Sequence, residues 1–211
     1  MKLDLVRLIS WDLDGTLYSI SRMKWHLLGL FLREIGAGRG LQAGQALEAL
    51  RRFRARIDTA RSAGGDLGSA WNEYPDREAL LDVETRWYGA AIEQIGPRPG
   101  VVGLLSFFEE RNISQVLFSD YHAEYKLSSL GLEERFTRVY VGEQLGFVKP
   151  SPKVLERIAV DFGVPIENLL HIGDRVDRDE AAARAAGCQC WILGRDFPSF
   201  PSLLNELRAG V

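Results

Sequence analysis

From Arg98 onward, runs apolar and short enough for strands alternate with runs long and amphipathic enough for helices. That alternation restricts the chain more than any other feature. Helical patterns at 100–111, 123–130, 151–162, 179–186 and 201–208 separate strand-like runs at 114–118, 139–141, 169–172 and 189–193. Gly131, Gly173 and Gly187 stand where one element has to stop before the next begins. Strand and helix in strict alternation predict an α/β fold, a Rossmann-like parallel sheet with helices on both faces. In such a sheet ligands bind beyond the carboxyl ends of the strands, so the strand ends become a list of candidate site residues.

The N-terminal part fits the same sheet and then departs from it. Leu5, Val6, Leu8 and Ile9 lie in a short apolar run that reads as a further buried strand, leading into Ser10-Trp11-Asp12-Leu13-Asp14-Gly15. Between 17 and 97 the apolar positions recur at helical spacing over 22–35, 41–62 and 76–95, with breaks at Gly36–Gly40, Gly64-Gly65 and Gly96-Pro97. This stretch reads as an all-helical block inserted after the first strand.

The strand ends carry a consistent chemistry. Alternation along an extended chain sets Asp12 and Asp14 on the same side, one residue apart. Two such carboxylates repel unless a proton or cation sits between them, and a hard divalent ion with oxygen ligands resolves the conflict; a solvated turn closing a strand is the other reading. The next strand ends in Ser119-Asp120, the third leads into Lys149, and the fourth ends in Gly173-Asp174 followed by Asp177 and Asp179. Several acids for a cation and one lysine for an anion make an arrangement suited to phosphoryl transfer, where catalysis is mostly positioning and charge neutralisation. Taken singly, Ser119 reads equally as a strand-end cap, Lys149 as a solvated lysine and Asp177 as a helix cap. His171, inside an apolar run, reads as a core histidine, and His122, just after the second strand end, reads as lying outside the site, with reach into it as the alternative.

Other classes of function find little support. The formal net charge of −3 gives no basis for nucleic-acid or membrane-surface binding. The first residues lack the basic and apolar regions of a signal peptide, and no apolar run nears the ~20 residues that span a bilayer. Cys188 and Cys190 flank a single residue, a spacing poor for a disulfide or a zinc site, and read as core thiols of a protein in the reducing cytoplasm.

Four segments, DLDGTL at 12–17, FSD at 118–120, GFVKPSP at 146–152 and IGDRVDRD at 172–179, resemble in order and placement the four motifs of the haloacid dehalogenase (HAD) superfamily. The resemblance spans the chain. It implies a HAD-like core from 1–16 and 98–211, with an inserted all-helical cap domain at 17–97. It also implies a Mg²⁺ cofactor held by Asp12, Asp174, Asp179 and the backbone carbonyl of Asp14. Asp12 would be the nucleophile forming an aspartyl-phosphate, and Asp14 the acid and base for leaving group and water. Thr16 would hold the first loop, Ser119 and the amide of Asp120 would bind phosphoryl oxygens, and Lys149 would neutralise both the phosphoryl group and Asp12. Two departures stand out: Asp120 occupies a position where many relatives are neutral, and Glu180-Ala181-Ala182 replaces a frequent Gly-Ala pair.

Within that superfamily, dehalogenases and phosphonatases lack an acid at the position of Asp14. Its presence points to a phosphatase acting on a small phosphorylated metabolite, with a sugar phosphomutase, or a binding module without catalysis, as alternatives. The expected partner is the small-molecule phosphate ester, for a protein that is a monomer or homodimer. Substrate choice is expected in the helical block. There Arg51, Arg52, Arg54, Arg56 and Arg61 on one helix and Asp76, Glu78, Asp82 and Glu84 on the next read as solvated, charge-paired faces, or as cations gripping an anionic leaving group. Trp25, Phe31, Trp71, Trp87 and Tyr88 read as core of that block, and Tyr18, Ile20 and Met23 as the entrance to the site.

Overall fold

A computed structural model describes residues 3–68 and 77–210. Five parallel strands form one sheet: β1 (Leu8–Trp11), β2 (Ser114–Ser119), β3 (Arg138–Val141), β4 (Leu169–Gly173) and β5 (Gln189–Ile192), in the order β3-β2-β1-β4-β5. β1 is central, with Ser10 beside Val116 on one side and His171 on the other. Its strand conformation starts later than the apolar run: Leu5 lies in a turn and is 62% exposed, and the ladder runs from Leu8 to Trp11. What sets the strand is pairing with both neighbours, which the apolar run alone does not locate.

Alternation sorts the strand residues onto two faces. Ile9, Trp11 and Leu117 pack with α5 (Val101–Glu109) and α10 (Phe200–Ala209), where Trp11 lies 6.1 Å from Phe108 and 6.0 Å from Phe200 between ring centres. Leu8, Val116 and Phe118 pack on the opposite face against α8 (Lys153–Phe162) and α9 (Ala181–Ala186). The sheet is buried on both faces, which is the reason its strands read as almost unbroken apolar runs.

Between β1 and α5 the described chain is helical: α1 (Ile20–Gly36), α2 (Gly40–Ser62), α3 (Arg77–Glu84), a π-helical turn Thr85–Gly89 and α4 (Ala90–Ile95). Leu50, Phe53 and Ile57 of α2 and Tyr88, Ala91 and Ile92 join the same buried cluster as Trp11, so this helical insert shares a core with the sheet. Its entry and exit are stitched together: Arg98 N–H donates to Leu17 O at 2.7 Å, and the Arg98 guanidinium donates twice to Gly15 O at 3.0 and 2.8 Å. Trp25 does not belong to the insert's core. It is 74% exposed and continues along α1 into Leu28, Leu32 and Ile35, all exposed, because the helix buries the face that carries Met23. Trp71 and Asp76 lie outside the described residues, as do the side chains of Glu78 and Asp82. Among the described residues, no helix is long and apolar enough to cross a membrane.

α6 (Glu124–Leu130) follows β2, α7 (Gly142–Leu145) follows β3, and a π-helical turn Val176–Glu180 leads from β4 into α9. Connections from β1 and from β4 leave toward opposite edges of the sheet, so a crevice opens between the carboxyl ends of these two strands.

Candidate active site

The crevice gathers side chains from four strand ends. Asp12 extends β1, its N–H bonded to Ile172 O at 2.8 Å. Asp174 follows β4 directly. Asp179 is turned back toward them by the π-helical turn, whose Asp179 N–H bonds to Arg175 O at 2.8 Å. One carboxylate oxygen from each of Asp12, Asp174 and Asp179 lies within 4.8 Å of the others. Lys149, 2% exposed, donates from Nζ to Asp12 Oδ1 and, at 2.7 Å, to Asp179 Oδ1. Thr16 Oγ1 donates to the second oxygen of Asp12 at 2.8 Å. Asp12 is thus held through both oxygens.

Asp179 is the best supported of the three acids. It accepts from Lys149, from His171 Nε2 at 3.2 Å, and from the N–H groups of Asp174 and Arg175 at 3.2 and 2.9 Å. Burial pushes its carboxyl up, but the Lys149 ammonium and His171 outweigh burial and hold it well below the usual carboxylate range. The fit requires glycine at 173: a Cβ there would stand 2.3 Å from Asp179 Cγ. Asp174 has the opposite balance. Burial and the neighbouring Asp179 charge push it up to about 6, and its buried Oδ1 makes no hydrogen bond. Burial also raises Asp12, reinforced by Asp179 and Asp174, although Lys149 opposes the shift.

Three carboxylates facing one ammonium leave about two negative charges uncompensated in a buried site, with one oxygen unsatisfied. A divalent cation with hard oxygen ligands fits this donor set on both counts.

Asp14 stands outside the three-acid group. Lys126, buried on α6, donates to both of its oxygens at 2.8 and 2.6 Å, and the Tyr18 hydroxyl donates to Oδ1. Burial raises the Asp14 carboxyl, but the Lys126 charge and hydrogen bonds, with those of Tyr18, bring it below its ordinary value. Tyr18 and Met23 are themselves buried, and Ile20 is half-buried against the core, so they belong to the packed interior rather than to an open entrance. Ser119, also buried, accepts from the Tyr121 N–H at 3.3 Å.

Asp120 finds its partner in the insert. Its Oδ2 accepts from Arg61 Nη2 at 2.9 Å and its Oδ1 from the Lys149 N–H at 2.9 Å. Arg54 is half-buried with its guanidinium 4.8 Å from the Tyr88 ring centre, and its buried Nε makes no hydrogen bond. Arg51, Arg52 and Arg56 are exposed, with Arg52 paired to Glu48 on its own helix at 3.0 Å. The arginine cluster therefore splits into an outward group and two residues turned toward the core.

Asp177 is exposed and paired with Arg175 at 2.8 Å, and the position that caps the turn is Arg175. His122 pairs with Glu124 at 3.0 Å. His171 is fully buried, bonded to Ser10 Oγ at 3.1 Å as well as to Asp179, so this core histidine also props a site carboxylate. Cys188 and Cys190 are free and half-buried, less enclosed than core thiols would be.

Asp12, Asp14, Asp120, Lys149, Asp174 and Asp179 all border one cavity of about 30 Å³. Clefts of about 500 and 580 Å³ lie elsewhere, against Leu3 and Arg111 and against Leu41 and Arg52, with no comparable group of acids.

A family model described as haloacid dehalogenase-like hydrolase matches residues 6–187. Glyceraldehyde 3-phosphate phosphatase of Methanopyrus kandleri is 39% identical over 193 residues, covering 87% of this chain and 82% of that protein. Phosphoglycolate phosphatase of Pseudomonas fluorescens is 25% identical over 192 residues, covering 88% and 68%. Among solved structures, a 2-haloacid dehalogenase from Pseudomonas syringae pv. tomato superposes with a TM-score of 0.66 at 19% identity, over 98% of this chain and 100% of that one. That likeness concerns the fold.

Proposed function

The chain belongs to the haloacid dehalogenase-like hydrolases as a phosphoric monoester hydrolase, and we propose that it cleaves a small phosphorylated metabolite with Mg²⁺, through an aspartyl-phosphate at Asp12. The observation that carries this reading is the buried three-acid group of Asp12, Asp174 and Asp179 on one lysine, with Asp174 Oδ1 left unsatisfied. Curated phosphatases at 39% and 25% identity support the choice of ester hydrolysis.

The residues divide the work as follows. Asp12 attacks phosphorus while the bond from phosphorus to the ester oxygen breaks, and the leaving oxygen takes a proton from the acid form of Asp14. Asp14 then removes a proton from a water that attacks the phosphorylated Asp12, which releases inorganic phosphate and restores both carboxyls. Lys126 keeps Asp14 ionised here, so this arrangement suits the second half of the cycle. Thr16 and Lys149 aim Asp12 through one oxygen each, and Lys149 also offsets charge on the transferring group. Ser119 and the Asp120 amide complete the phosphoryl cradle. A bound Mg²⁺, held by Asp12, Asp174, the Asp14 carbonyl and Asp179, would supply charge neutralisation to the phosphoryl oxygens. The helical insert at 17–97 acts as a cap over the core at 1–16 and 98–211. The cytoplasm is the proposed setting, in keeping with the unpaired thiols of Cys188 and Cys190.

The test is release of inorganic phosphate from an ester panel that includes glyceraldehyde 3-phosphate and phosphoglycolate, with and without Mg²⁺, beside Asp12→Asn. Mg²⁺-dependent turnover that falls by more than about 1000-fold in the variant is the expected result. Turnover that survives Asp12→Asn sinks the covalent mechanism, and no release from any ester sinks the reading.

A further inference from the structure

Arg61, in the last turn of α2, reaches out of the insert with its side chain 9% exposed and closes a ring on the core. Its Nε donates to Lys149 O at 2.9 Å, its Nη2 donates to Asp120 Oδ2 at 2.9 Å, and Asp120 Oδ1 accepts the Lys149 N–H at 2.9 Å. Both backbone polar groups of Lys149 are thereby held in one ring, and Asp58 fixes the guanidinium from the far side. The chain beyond Arg61 continues the contact. Val148 N–H bonds to Gly65 O at 2.8 Å and Leu67 N–H to Gly146 O at 2.9 Å. The approach is so close that a Cβ on Gly65, at φ +85°, would stand 2.1 Å from Val148 O.

The cavity beneath is confined, about 30 Å³. Lifting of the insert would break both Arg61 bonds to the core while Asp120 keeps the Lys149 N–H. The carbonyl side of Lys149 is then fixed only with the insert seated.

We propose that Arg61 is a positioning residue that couples seating of the helical insert to placement of the Lys149 ammonium. This rests on the role given to Lys149 above. It also explains the acid at position 120: an anionic side chain there binds a cation brought by the insert and aligns the lysine's backbone at the same time.

Arg61→Met should lower kcat by about tenfold or more with KM within roughly threefold, since a misplacement near 1 Å can cost about a hundredfold. Arg61→Lys, able to make one of the two bonds, should recover part of the loss. The double variant Arg61→Met/Asp120→Asn should be no slower than the slower single variant, because both act through one ring. Hydrogen exchange supplies a readout that needs no turnover: Arg61→Met should speed exchange of the amides at 146–149, and Arg52→Met should not. An effect confined to KM or to folding stability, additive losses in the double variant, or unchanged exchange at 146–149 overturns the proposal. Faster exchange in Arg61→Met beside a wild type that cleaves no ester would instead remove the phosphatase reading and leave the positioning intact.

Discussion

Gly173→Ala is the sharpest probe of how the acids are held. Gly173 ends β4, and an added Cβ would stand 2.3 Å from Cγ and 2.4 Å from Oδ2 of Asp179, where ordinary contact begins at 3.4 Å. The carboxyl has to withdraw by about an ångström, more than a hydrogen bond tolerates. Its shortest bonds, to Lys149 Nζ at 2.7 Å and to the Arg175 N–H at 2.9 Å, are the first to go. Hydrogen bonds to charged groups contribute about 1.5–3 kcal/mol each, so the expected loss is about 3–5 kcal/mol after partial relaxation. That is a large share of the ~5–15 kcal/mol typical of a folded domain. Urea denaturation of both proteins, with equal m-values, measures it. In an Asp179→Gly background both the carboxyl and its Cβ, which would stand 2.5 Å from the added methyl, are gone, and Gly173→Ala should then cost less than about 1 kcal/mol. A loss below about 1 kcal/mol in the wild-type background, or an undiminished loss beside Asp179→Gly, would refute the steric account.

Other outcomes follow from the same geometry. Lys126→Met should destabilise by about 2–3 kcal/mol at pH 7, discounted from the ~3–5 kcal/mol of a fully buried broken pair because the Asp14 side chain is 21% exposed. Asp14 titrates lower in the fold, so its contribution is present above the unfolded carboxylate value and fades as pH falls through the folded one. The stability gap between wild type and Lys126→Met should therefore narrow from about pH 5 downward, as acid titrations of unfolding would show. Burial pushes the Cys188 thiol up to about 12, so alkylation by iodoacetamide at pH 8, followed by mass, should run at least about a hundredfold slower than for a free thiol.

The sheet and its crevice were legible because strand–helix alternation is a local signal and the ligand rule converts strand ends into sites. Asp12 and Asp174 could be listed from sequence because each stands just after a strand, and Asp179 because its spacing from Asp174 resembles that of the family's second acid. The π-helical turn that swings Asp179 inward leaves no such trace, since its Val176–Glu180 sequence reads as ordinary helix. The partners of Lys126 and Arg61 were hidden for another reason. Lys126 meets Asp14 across 112 residues and Arg61 meets Asp120 across 59, and nothing near either residue distinguishes it from a solvated cation. Trp25 misled because periodicity identifies a helix and leaves open which of two apolar faces finds a partner. Met23 marks the buried one.

The stitch between Arg98 and the Gly15–Leu17 backbone has a bearing on how this chain can vary. With both feet of the insert tied at one spot, the chain between them is a closed loop, and loop closure depends only logarithmically on contour length. Doubling or halving that length changes the closure entropy by about 0.6 kcal/mol. The sheet is therefore nearly indifferent to how long the loop is. What it does register is the apolar face that Leu50, Phe53, Ile57 and Ile92 contribute to the shared core. The junction at 17 and 98 is accordingly a natural graft point, where a foreign segment of almost any length is tolerated provided that it brings its own cover for that face.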